Sequence, residues 1–296
     1  MQTSPFSKML QLMDARYPRY AELWRTSRRD FGDEWLNEFE TSVTALFEDG
    51  AGWDEAVDGY AEFCTDALRS QIYFEKSRQY KATSYKDVAR QCYHNAAFMF
   101  RSYLPGMFIS HFIWPHHYRL LRYFRDVLRV IPTGRTFADV GTGCGMYSKE
   151  PLAVWPGVHG SGYDISQHAL SFTRRVVGAF GFADRYELHE QNILETPPAA
   201  VDLVICQEVL EHLEDPAEFI VGLYAMTKPG GHAYISGAIN AGHIDHIYLY
   251  KNPGEVEDQL LRAGFHVVDS RAEYAYAGKL IELTPCVAAF LCARTA

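Results

Sequence analysis

A chain of 296 residues with 48% hydrophobic side chains can bury a large core and has room for two domains. Its formal charge of −9 argues against a general nucleic-acid binder, which needs a basic surface, and it holds no apolar run of the roughly 18 residues that crosses a bilayer. Six scattered cysteines without a C-x-x-C pair suit reduced thiols in a cytoplasmic protein, and no charged segment followed by an apolar stretch opens the chain as a secretory signal would.

Residues 1–131 show no alternation of strands and helices and are predicted to be all-helical. Leu36, Phe39, Val43 and Leu46 recur at helical spacing, and a longer helix is expected over 54–80. Ser84 followed by Asp87 has the pattern of a capped helix start, and that helix is expected to stop before the breaker Leu104–Pro105–Gly106. The unusually aromatic stretch 107–118 predicts packed core, a reading compatible with lining a substrate pocket. Membrane insertion is disfavoured there because no polybasic patch flanks it. Between Pro115 and Ile131, Leu120, Leu121, Phe124, Val127 and Leu128 form one face of a helix. Arg119, Arg122, Arg125 and Arg129 form the other, as either a solvated face or an anion patch.

After a linker near Pro132–Arg135, the pattern changes. Phe137–Val140 reads as a buried strand containing Asp139, and Gly141, Gly143 and Gly145 then alternate with small residues before helix-compatible sequence resumes. A dinucleotide fingerprint would place its third glycine at Met146, so the spacing is D-x-G-x-G-x-G. Asp164 ends the next strand-like run, where an α/β nucleoside site needs a carboxylate for ribose hydroxyls; capping of the following helix is the competing reading. Tyr186–His189 precedes Gln191–Asn192–Ile193. Val201–Cys206 leads into Gln207 to Pro216, and a turn at 228–231 leads into a strand over His232–Ser236. A helix over 254–263 and strands near 265–269 and 287–292 complete the chain, and the last two fit an antiparallel edge.

These four ordered motifs resemble those of class I S-adenosyl-L-methionine (SAM) dependent methyltransferases, over about residues 132–296. The resemblance implies an α/β fold: a Rossmann-like seven-stranded sheet (132–296) with an N-terminal all-helical lid and substrate domain (1–131). It implies SAM as cofactor, with Asp139, Gly141, Thr142 and Gly143 at the methionine end. Asp164 would then meet the ribose, with Ile165 beside it in the cofactor site, Asn192 and Ile193 the adenine, and backbone groups at Gly141 and Gln207 the amino-acid portion. The function implied is methyl transfer to an O, N, C or S nucleophile of a small molecule, and the aromatic N-terminal half suits an apolar, aromatic or cationic acceptor. Two alternatives stay open: a SAM-consuming cyclase or aminocarboxypropyl transferase that releases methylthioadenosine, and a SAM-binding protein without turnover. Expected partners are the small-molecule acceptor and, through the N-terminal helices, a second copy of the chain, but no nucleic acid and no membrane.

An acceptor that loses a proton on attack needs a base, and His212, His243 and His116 are the candidates, with His246 and His117 behind them. If a helix begins near Gln207, Glu208, Glu211 and His212 share one face of it. This resembles the metal motif of ubiquinone-biosynthesis O-methyltransferases and small-RNA terminal 2′-O-methyltransferases, with His243 or His246 arriving from the next loop. The same V-L-E-H-L-x-D-P pattern occurs in metal-free class I methyltransferases, where it supports the loop beneath the cofactor, so both readings stand.

Overall fold

The structure, a computed structural model, describes residues 4–47, 50–278 and 280–295. Its first half is helical: α1 (Pro5–Arg16), α2 (Pro18–Leu46), α3 (Ala51–Ser77), the single turns α4 (Tyr85–Val88) and α5 (Ala96–Phe98), then α6 (Leu104–Ile113) and α7 (Pro115–Val130). Each short turn runs directly into a wider π turn, over 89–93 and 99–103. The expected stop at Leu104–Pro105–Gly106 does not occur. Pro105 falls in the first turn of α6, where the π turn has already displaced the ordinary hydrogen-bond ladder and a missing N–H costs little. Ser84 does precede α4, but its hydroxyl makes no capping bond.

The carbonyls at the C-terminal end of α6 have no helical partner and are met by side chains of α2. Trp35 Nε1 donates to the Phe112 carbonyl (2.9 Å) and Ser27 Oγ to the Ile113 carbonyl (2.7 Å). Both donors are fully buried, beside Trp24 and Phe39. The aromatic stretch of the sequence is therefore anchored at the point where α6 turns into α7.

The second half forms β1 (Thr136–Val140), α8 (Met146–Val154), β2 (His159–Asp164), α9 (Gln167–Ala179), β3 (Tyr186–Glu190) and β4 (Val201–Cys206). It continues with α10 (Pro216–Met226), β5 (Thr227–Ile239), α11 (Pro253–Arg262), β6 (His266–Tyr274) and β7 (Cys286–Ala293). Strand order is β3-β2-β1-β4-β5-β7-β6. The first five strands are parallel, and β7 lies antiparallel between β5 and β6. The order reverses between β1 and β4, so the crevice for a nucleotide opens at their C-terminal ends.

One face of the sheet carries α10 and α11, through Phe219, Ile220, Val256 and Leu260. The other face shares a continuous core with the N-terminal helices. There Phe124 of α7 packs on Tyr147 and Tyr234, with ring centroids 5.1 and 4.6 Å apart. Tyr123 Oη donates to Asp269 (2.9 Å) and Arg119 pairs with Glu273 (3.5 Å), which fastens α7 to β6. Arg125 is held between Glu150 and Glu38, so this residue of the arginine row is spent on packing and offers no anion site. Helix α6 then runs over the glycine turn, where a Cβ on Gly143 would come within 3.2 Å of Met107 Sδ.

Candidate active site

The glycine turn needs its glycines. Gly141, Gly143 and Gly145 all have positive φ (78°, 50° and 73°), and a Cβ on Gly141 would collide with Val209. Beside the turn, Asp164 accepts from the N–H groups of Ser166 (2.8 Å) and Gly143 (3.3 Å) and from Thr142 Oγ1 (3.5 Å). The carboxyl thus braces the turn and the start of α9 together. Burial pushes it up to about 6 despite these donors. Asp139 is more deeply buried and is pushed up to about 7; it accepts from Ser148 Oγ (2.5 Å), which in turn accepts from Tyr186 Oη (2.8 Å). Gln207 Oε1 accepts from Ser236 Oγ (2.8 Å).

A single cavity of about 720 Å³ is lined by Asp139, Gly141, Thr142, Gly143, Asp164, Ile165 and Gln207 and extends beneath the N-terminal helices. The structure does not bring Asn192 and Ile193 to it. Asn192 Oδ1 accepts from the Leu194 N–H (3.1 Å) and its Nδ2 donates to Glu195 (3.1 Å), an Asx turn that spends the amide locally, and Ile193 is buried under α10. Tyr85 and Leu213 are among the residues that line the cavity.

The far wall is a cluster of titratable groups. Asp245, completely buried, accepts from Tyr103 Oη (2.6 Å) and Tyr93 Oη (3.1 Å) on Oδ2 and contacts His243 Nδ1 (2.5 Å) through Oδ1. Burial would raise this carboxyl, but His212 and His243 beside it hold it well below the usual range. Being ionised, it can only accept, so in the neutral form of His243 the proton sits on Nδ1 and the lone pair on Nε2. That Nε2 is buried with no hydrogen-bond partner.

His212 and His246 are oriented the same way by carbonyls. His212 Nδ1 donates to the Asp245 carbonyl (3.1 Å) and His246 Nδ1 to the Ala241 carbonyl (2.7 Å), which leaves the His246 Nε2 lone pair available; burial opposes charge on His212, but Asp245 and Glu211 raise it overall and so favour a second proton on its Nε2 in the absence of a metal. Glu211, His212 and His246 each bring a ligand atom within 4.8 Å of the others. Both Glu211 carboxyl oxygens are buried without a hydrogen-bond partner, and burial pushes Glu211 up. Glu208 rises to about 8 through burial and the neighbouring Glu211. The helix expected from Gln207 is absent: Glu208 has φ 49° and only a 3₁₀ turn over Leu210–His212 follows. Helix α10 starts later, at Pro216, capped by Asp215.

Of the three candidate bases, His212 and His243 meet in this cluster, and His116 stands elsewhere on the cavity wall, at the start of α7. Burial drives His116 down to about 3, which makes it a feeble base near neutral pH. Asp245, Tyr93 and Tyr103 were not singled out by the sequence reading. The run His243–Ile244–Asp245–His246 was a usable signal, with three side chains of ligand or base type in four positions.

Residues 138–233 match the family described as a methyltransferase domain. The strand order and the glycine turn agree with that match. The ubiquinone biosynthesis O-methyltransferase of Thiobacillus denitrificans is 34% identical over 104 residues, 35% of this chain and 44% of its own length. That of Pseudomonas paraeruginosa is 35% identical over 135 residues, 45% and 56% of the respective chains. The chain thus spans about half the length of the curated relatives it matches. An O-methyltransferase family protein from Burkholderia thailandensis shares the fold across 87% of this chain and 77% of its own, with TM-score 0.55 and 15% identity.

Proposed function

We propose that the protein transfers the methyl group of SAM to a hydroxyl oxygen of a small acceptor, with His243 as the base. The observation that carries this reading is the buried, unpartnered Nε2 of His243, whose other nitrogen is held by Asp245. The names of the curated relatives, O-methyltransferases, support oxygen as the attacked atom.

The residues fit the cofactor. Gly141, Thr142 and Gly143 line the cavity, Asp164 can accept from ribose hydroxyls, and Asp139 and Glu208 offer carboxyl groups that can hydrogen-bond the methionine end. SAM supplies an already activated methyl group, so the chain's own work is positioning, exclusion of water and removal of one proton. Tyr93 and Tyr103 fix the Asp245 carboxylate, Asp245 fixes the His243 tautomer, and Nε2 takes the proton as the acceptor oxygen bonds the methyl carbon and the carbon–sulfur bond breaks. Asp245 also stabilises the imidazolium that results. Helices α3 and α6 with the π turn before α6 close the cavity over the crevice, so the lid role falls to residues before Pro115, and α7 belongs with the sheet.

The products test the reading directly. Incubation with SAM and a simple phenol, 4-hydroxybiphenyl, should yield S-adenosylhomocysteine and a methyl aryl ether in equal amounts by mass spectrometry. Methylthioadenosine in place of S-adenosylhomocysteine would favour cyclase or aminocarboxypropyl chemistry.

The orphaned Glu211 carboxyl favours a second element, a divalent cation held by Glu211, His212 and His246. A mixed set of one carboxylate and two imidazoles suits a transition-metal ion better than magnesium. Such an ion would polarise a bound hydroxyl. Elemental analysis of the purified protein and thermal unfolding with and without a chelator test it: about one metal per chain and a lowered midpoint on chelation are expected, and an unchanged metal-free protein would remove it.

A further inference from the structure

The cavity has a second polar wall that the proton-transfer cluster does not use. His111, His116 and His117, from the end of α6 and the start of α7, all line it together with Trp114. The imidazoles lie close together, His116 and His117 at 4.4 Å and His111 and His117 at 5.5 Å between centroids, and Trp114 stacks on His116 at 5.7 Å. The ring of Phe63 touches Trp114 (5.5 Å) on one side and His243 (5.3 Å) on the other, which separates this wall from the base.

The proton positions follow from the partners. His111 Nδ1 meets the Met107 carbonyl (3.0 Å), which can only accept, so Nδ1 carries the proton. Ser110 Oγ already donates to that carbonyl (2.7 Å), so its contact with His117 Nδ1 (3.0 Å) requires His117 to donate as well. Each ring therefore keeps a lone pair on Nε2 with no partner among the described residues. His116 Nδ1 is also buried and unpartnered. Burial keeps all three neutral: it lowers His111 to about 4, His116 to about 3, and His117 well below its ordinary value. The neutral imidazoles of His111 and His117, with Nε2 set as a hydrogen-bond acceptor, are complementary to an O–H donor, and an ether or a carboxylate gives those two atoms nothing to accept.

We infer that His111, His116 and His117 form a recognition subsite for a second hydroxyl of an uncharged aromatic acceptor, whose ring system spans Phe63 and Trp114 between this wall and His243. The inference rests on the proposed methyl transfer at the His243 end.

Calorimetry on the full chain with S-adenosylhomocysteine present tests it with three probes: 4,4′-dihydroxybiphenyl, 4-hydroxy-4′-methoxybiphenyl and 4-hydroxybiphenyl. The diol should bind about tenfold more tightly than the other two, a ratio in keeping with one buried hydrogen bond. His111→Phe and His117→Phe, checked by circular dichroism, should each narrow that ratio. Equal affinity for the three probes in the unaltered protein overturns the inference whether or not the variants fold, as does binding of none of them or a ratio that both folded variants preserve. Preferential diol binding without any methylation would contradict the proposed reaction and leave the subsite standing. Methylation of all three with equal affinity would do the reverse.

Discussion

Replacing Asp245 with asparagine probes how the base is built. The carboxylate receives two tyrosine hydroxyls on Oδ2 and His243 Nδ1 on Oδ1, all within 3.1 Å. An amide fills the same volume, so packing should survive. If its NH₂ faces His243, the imidazole must accept on Nδ1, its proton moves to Nε2, and the lone pair that takes the substrate proton is gone. If its oxygen faces His243, the tautomer survives but the charge that stabilises the imidazolium does not. Positioned proton transfer contributes about 10²–10⁴ in rate, so kcat should fall by about that factor, or about 3–5 kcal/mol of barrier. SAM affinity should change less than about threefold, because Asp164 and the glycine turn are untouched. Steady-state turnover with 4,4′-dihydroxybiphenyl and calorimetry with SAM give the two numbers. A folded variant that keeps kcat within about threefold of the unaltered protein would refute the role of Asp245.

The ribose carboxylate should be visible in both energy and pH. Asp164→Ala should weaken SAM binding by about 1–3 kcal/mol. The ionised carboxylate accepts ribose hydroxyls and burial raises the free group to about 6, so the Asp164 contribution to affinity should rise with pH up to that value and fall up to about tenfold per unit below it. Asp164→Asn should flatten that part of the profile, and an unaltered slope in calorimetry would contradict the assignment. Gly162→Ala should destabilise the sheet by about 1–3 kcal/mol in urea unfolding, because its Cβ would lie 2.5 Å from Tyr186 Oη and 2.6 Å from Thr142 Cγ2. An unchanged midpoint would argue against that packing. A chain beginning at Pro115 should fold and bind SAM without turning over the phenol, whereas one beginning at Thr133 uncovers Tyr147 and Tyr234 and should bind a hydrophobic dye such as ANS.

The parts legible in the sequence were those whose physics is local. Positive φ at Gly141, Gly143 and Gly145, and a carboxylate at the tip of β2, are demands of one turn and one strand end, and both appear as residue type at fixed spacing. The antiparallel end of the sheet was readable because strands β6 and β7 follow each other with only a 3₁₀ turn, Ile281–Leu283, among the described residues between them. What escaped depends on groups far apart in the chain. Asp245 is defined by Tyr93 and Tyr103, some 150 and 140 residues away, and no local pattern marks a tyrosine as the donor to a buried carboxylate. Pro105 looked like a stop because the π turn ahead of it has no periodic signature. Asn192 has the chemistry for adenine but its own loop claims it first. Arg125 read as surface because its partners, Glu38 and Glu150, lie on two other helices.

The most direct measurement is a crystal structure of the full chain with S-adenosylhomocysteine and 4,4′-dihydroxybiphenyl. One hydroxyl oxygen should lie about 2.6–3.2 Å from His243 Nε2 and face the sulfur of the spent cofactor. A phenol seated with neither oxygen near Nε2, or a His243 side chain turned out of the cavity, would contradict the account.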